Sequence, residues 1–111
     1  MQYEESDDQR AIRDGVSAVV RRFDDEYWMN RDEDGEFPFA FHQAMAEAGW
    51  LGITMPTEYG GSGLGVTEAC IMMHEVASHG GAMAAASAVH INLFGPHPIV
   101  VFGSPEQRSR W

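Results

Sequence analysis

Apolar residues along this chain recur at steps of three and four, and Gly or Pro cuts each run short. That spacing gathers side chains on one side of a helix, so the chain is constrained to an all-α architecture, a small helical bundle. The first run is the clearest. Ile12, Val16, Val19, Val20, Phe23 and Tyr27 predict one helix over residues 6–32. Ser6, Asp7 and Asp8 stand at its start, where side-chain oxygens satisfy free N–H groups and negative charge suits the helix dipole. Gly15 inside the run reads as a mild flaw, costing up to about 1 kcal/mol relative to Ala.

A second helix is expected to open near Pro38 and run through Phe41, Met45 and Ala48, with Gly49 as its left-handed cap. Residues 50–55, Trp-Leu-Gly-Ile-Thr-Met, form a short apolar stretch without neighbouring strand candidates, so they read as a buried connector with a helical turn. Four of the ten residues in 56–65 are Gly, which marks a loop with unusual dihedrals or a close backbone approach. Residues 67–79 make a third helix, whose Ala69, Ile71, Met72, Met73 and Val76 cover more than one side. Gly80-Gly81 breaks it. The Ala-rich residues 83–94 make a fourth helix, ended by Gly95-Pro96, and residues 98–102 a short apolar helical turn. Ser104-Pro105-Glu106-Gln107 is a capping box with Pro at the first helical position, so a further helix begins there. It has about two turns before Trp111, and the chain is therefore expected to be one piece of a longer protein, a single domain over residues 1–111.

Charge narrows the partners. The net charge of −10 opposes nucleic-acid binding, which needs clustered Lys and Arg, and opposes docking on an anionic membrane surface. Residues 24–36 hold seven acids against one Arg, which reads as a solvated helix end and turn. The acids in 32–36 lack the ligand spacing of a Ca²⁺ loop. Cys70 is the single cysteine, which with an acidic N-terminal run lacking a leader pattern suggests a cytoplasmic protein. No apolar stretch is expected to reach the roughly 20 residues of a membrane span.

The residues offer little chemistry by themselves. His74-Glu75 followed by His79 resembles a zinc pattern, but a spacing of five puts the two imidazoles about 140° apart on a helix. Cys70 and His74 share a face, yet two ligands are too few for a metal site. Gly60-Gly61-Ser62-Gly63 lacks the Lys of a phosphate loop and the frame of a nucleophile elbow, so a structural turn is expected. Glu47, Glu58, Glu68 and Glu75 are possible bases, none distinguished from the others. No catalytic, flavin-binding or metal-binding residue is assigned.

Two runs carry a resemblance. Gly49-Trp50-Leu51-Gly52-Ile53-Thr54-Met55-Pro56-Thr57-Glu58-Tyr59-Gly60-Gly61-Ser62-Gly63 is similar to the hallmark of the acyl-CoA dehydrogenase N-terminal domain. Gly95-Pro96-His97-Pro98-Ile99 through Phe102-Gly103-Ser104-Pro105-Glu106-Gln107 resembles a later run of the same family, and the helix around residues 72–77 matches between them. The resemblance spans residue 6 to Trp111. It implies an N-terminal helical domain, followed in the family by a β domain and a C-terminal helical bundle. It also implies FAD, bound mainly by those later parts, an acyl-CoA substrate, α,β-dehydrogenation, an electron-transferring flavoprotein as acceptor, and a homotetramer.

By position within the resemblance, the helix at 83–94 matches the one that lines the acyl pocket. Ala86, Ser87, His90 and Phe94 are its candidate substrate-binding residues, with plain helix packing as the other reading. Two alternatives to the dehydrogenase stand at this stage. One is an oxidase or monooxygenase of the same fold, and the other a free-standing, non-catalytic helical interaction module.

Overall fold

A computed structural model describes residues 4–111. Residues 1–3, the head of the acidic N-terminal run, lie outside the described residues. The described residues form helices and turns with no strand. In chain order they are α1 (Asp7–Val20), α2 (Asp25–Asp34), α3 (Phe39–Glu47), two 3₁₀ turns (Trp50–Gly52 and Thr57–Tyr59), α4 (Val66–Ala77), α5 (Ala82–Phe94), α6 (His97–Phe102) and α7 (Pro105–Arg110).

The first expected helix is two helices. Ser6 caps α1: its Oγ accepts from the Gln9 N–H at 3.2 Å, and the Gln9 side chain accepts from the Ser6 N–H at 3.0 Å. The helix stops at Val20 because Asp24 starts a new one, its carboxylate accepting from the Tyr27 N–H at 2.9 Å. The apolar period runs across this break because both halves face the same core. Phe23, Tyr27, Trp28 and Phe41 form a chain of edge-to-face rings with centroids 5.0–5.5 Å apart. The acidic residues of α2 are exposed, as a solvated helix end requires. Gly35, at φ +68°, ends α2 in the left-handed conformation.

Gly15 has a purpose that its helix propensity hides. A Cβ placed there would lie 2.8 Å from Cζ2 of Trp50, so the missing side chain is the seat of the indole. Pro38 stands one position ahead of α3, and Gly49 adopts φ +83° after it. The connector behind Gly49 is a 3₁₀ turn that buries Ile53 completely.

α4 is the centre of the domain, packed between α1 and α5. Its Ile71, Met72 and Val76 meet Val16 and Val20 of α1 and Ala85 and Val89 of α5 in one continuous core. Ala85, Ala86 and Ala88 let α5 approach closely. The expectation about membrane spans is corrected here. Ala82–Phe102, 21 residues with mean hydropathy 1.2, is long and apolar enough for a span by length and composition. In the fold it is α5 and α6, broken at Gly95-Pro96, with one face of α5 in the core.

Candidate functional site

The Gly-rich loop is bound to itself. Backbone N–H groups of Gly61, Ser62, Gly63 and Leu64 donate to carbonyls of Pro56, Gly52, Met55 and Ile53 at 2.8–3.1 Å. A Cβ on Gly61 would fall 2.2 Å from the Met55 carbonyl oxygen, so glycine is there for a close backbone approach. With its N–H groups committed, the loop is a structural turn and offers no cradle to a phosphate.

Three of the possible bases also have structural partners. The Glu68 carboxylate accepts from the Gly65 N–H at 3.1 Å and so caps α4. Glu47 accepts from Gln43 at 2.8 Å. Glu75 receives Arg13 and His79, each at 3.0 Å. Burial pushes the Glu75 carboxyl up, but the hydrogen bonds from His79 and Arg13 outweigh it and hold the group below its ordinary value. Arg13 also pairs with Glu5, so the ions knit the start of α1 to α4. Within the H-E-x-x-x-H run, His79 binds Glu75 and His74 faces Arg13. Among the described residues no group of three His, Cys, Asp or Glu is placed to hold a metal ion.

What remains is a groove of about 600 Å³ between α4 and α5, closed at one end by Thr54 and His97. Its α4 wall is Val66, Ala69, Cys70, Met73, His74 and Ala77; its α5 wall is Met83, Ala86, Ser87, His90, Leu93 and Phe94. Ala86, Ser87, His90 and Phe94 therefore share one cleft. Ala86 is its buried floor, while Ser87, His90 and Phe94 are exposed along its edge. The His90 and Phe94 rings lie 5.7 Å apart, and His90 Nδ1 donates to the Ser87 carbonyl at 3.2 Å.

The α4 wall was not assigned from the sequence. Its residues look like core on a broad apolar helix, and only the crossing of α4 and α5 separates Cys70 and Met73, on the groove, from Ile71 and Met72, in the core. A second hollow of about 620 Å³ lies between α2 and the Gly80-Gly81 turn. Asp25, Asp32 and Glu36 line it, which disfavours an apolar ligand. The α4–α5 groove is the site suited to a chain of CH₂ groups.

Over residues 6–111 the chain matches the family described as acyl-CoA dehydrogenase, N-terminal domain. It belongs to the acyl-CoA dehydrogenase family. Acyl-CoA dehydrogenase FadE12 of Mycobacterium tuberculosis is 30% identical over 110 residues, which are 96% of this chain and 27% of the relative. Benzylmalonyl-CoA dehydrogenase of Aromatoleum aromaticum is 35% identical over 96% of this chain and 28% of its own length. Acryloyl-CoA reductase (NADH) of Anaerotignum propionicum is 38% identical over 72% of this chain and 20% of its own length. The chain thus spans about a quarter of the length of these curated relatives. No solved structure gave a significant match.

Proposed function

We propose that this chain is the N-terminal part of an FAD-dependent acyl-CoA dehydrogenase and that the α4–α5 groove is one wall of its acyl pocket. The observation that carries the reading is the groove itself. A largely apolar cleft collects Ala86, Ser87, His90 and Phe94 on the helix that the family resemblance assigns to the acyl chain.

The chain's own share of the work is shape and dryness. Small Ala69, Ala77 and Ala86 leave volume for the acyl chain, while Met73, Met83 and Leu93 offer it apolar contact. Removing water beside an acyl group strengthens every electrostatic interaction made there. FAD, when bound, supplies the acceptor for the electrons of α,β-dehydrogenation. The self-bonded Gly-rich loop does not fit the flavin's phosphates, so in this reading the flavin and the catalytic base belong to the rest of the protein. The acceptor flavoprotein and the tetramer belong to the same proposal.

Exposed apolar residues support it. Val66 and Met83 are each 75% exposed and Phe94 66%, all on the groove, and Phe102 of α6 is 86% exposed. Apolar surface of this extent marks a face that other parts of a protein cover. The test is the visible spectrum of the protein in the length its source makes. A flavin absorption that bleaches when an acyl-CoA is added without oxygen supports the proposal. A colourless protein, or a flavin untouched by acyl-CoA thioesters, overturns it.

A further inference from the structure

Three of the chain's five histidines, His74, His90 and His97, line the groove, and none of its 17 Asp and Glu residues does. In a chain of net charge −10, the groove wall itself is free of carboxylates. The hollow beside α2 shows the contrast, since three carboxylates and Arg31 line it. An imidazole is neutral or positive and never negative, and a ring N–H can donate to an anion.

The hydrogen bonds fix which nitrogen serves. Arg13 Nη1 lies 3.1 Å from His74 Nδ1. A guanidinium can only donate, so His74 Nδ1 is the acceptor and the ring proton sits on Nε2. His74 therefore offers the groove a donor without needing to titrate. His90 is set the other way. Its Nδ1 donates to the Ser87 carbonyl, which leaves Nε2 as an acceptor in the neutral ring and a second donor when protonated.

We propose that the groove takes an acyl group whose far end carries a carboxylate, received by the Nε2–H of His74, with His90 lining the same groove. The inference rests on the acyl-pocket reading and adds the substrate class. A plain hydrocarbon tail would dry three imidazoles while giving them nothing to bond, and a polar group buried without a partner is costly. A site built to hydrogen-bond its substrate rejects the analogue that lacks the bonding group more strongly than an apolar pocket rejects an extra methylene.

The test uses two thioesters of N-acetylcysteamine, octanoyl and suberoyl, which differ by a terminal carboxylate. Binding is measured by calorimetry on the protein in the length its source makes, with the histidine ring protons followed by NMR. The suberoyl thioester is expected to bind about tenfold tighter, a difference of about 1.4 kcal/mol, and to shift the His74 and His90 signals. His74→Leu should remove that preference, so that the suberoyl thioester binds no tighter than the octanoyl one. His74→Gln, which keeps an N–H donor, should retain most of it. Both residues are exposed, and His90→Leu gives an independent variant expected to lower the preference in part. Equal or tighter octanoyl binding overturns the inference and leaves the acyl groove standing. If neither thioester moves a groove signal, both readings fall.

Discussion

Gly15 is the residue where local preference and tertiary packing point in opposite directions. In an exposed helix Gly→Ala stabilises by about 1 kcal/mol. Here the new methyl would meet the rigid indole of Trp50 at 2.8 Å. Gly15→Ala is therefore expected to lower stability in urea by about 1–2 kcal/mol. Combined with Trp50→Ala, the same change should become stabilising, a sign reversal that a double-mutant cycle measures directly. Glu75 gives a second prediction at this scale. Its folded pKa is held below the ordinary 4.5, so its contribution is full above that value and is lost as pH falls through the folded one. Arg13→Met should cost about 1–2 kcal/mol at neutral pH. It should also make stability fall less steeply on acidification below about pH 4.5, which melting temperatures across that range would record.

At the scale of elements, the existence of most helices was legible and one boundary was not. The capping oxygen at Ser6, the capping box at Ser104, the left-handed Gly49 and the structural Gly-rich turn all follow from local rules, and the structure has them. The break between α1 and α2 was hidden because Phe23 and Tyr27 continue the helical period across it, each turned to the same aromatic cluster. The readable signal was Asp24, an N-cap residue standing before two further acids. Asp24→Ala should cost about 1 kcal/mol. Hydrogen exchange should show the loss concentrated in α2, with α1 and α4 protected as before; uniform loss across the domain would mean α2 does not open separately. The groove was half legible for a related reason. Resemblance pointed to the α5 wall, but the α4 wall depends on which edge of a broadly apolar helix the crossing leaves uncovered. Periodicity alone cannot separate Met72, buried in the core, from Met73, on the cleft.

For the whole molecule, an ion pair joins α1 to α4, and α5 leaves an apolar edge uncovered along the groove. Cys70 is exposed within that groove, and so reports what enters it. The most direct measurement is the rate at which iodoacetamide alkylates Cys70, with and without an acyl-CoA, in the protein at the length its source makes. An acyl group lying between α4 and α5 should slow the reaction several-fold, and Ser87→Phe, which fills the groove, should abolish that protection. An unchanged rate at an acyl-CoA concentration that saturates the protein would mean the chain does not use this groove for its substrate.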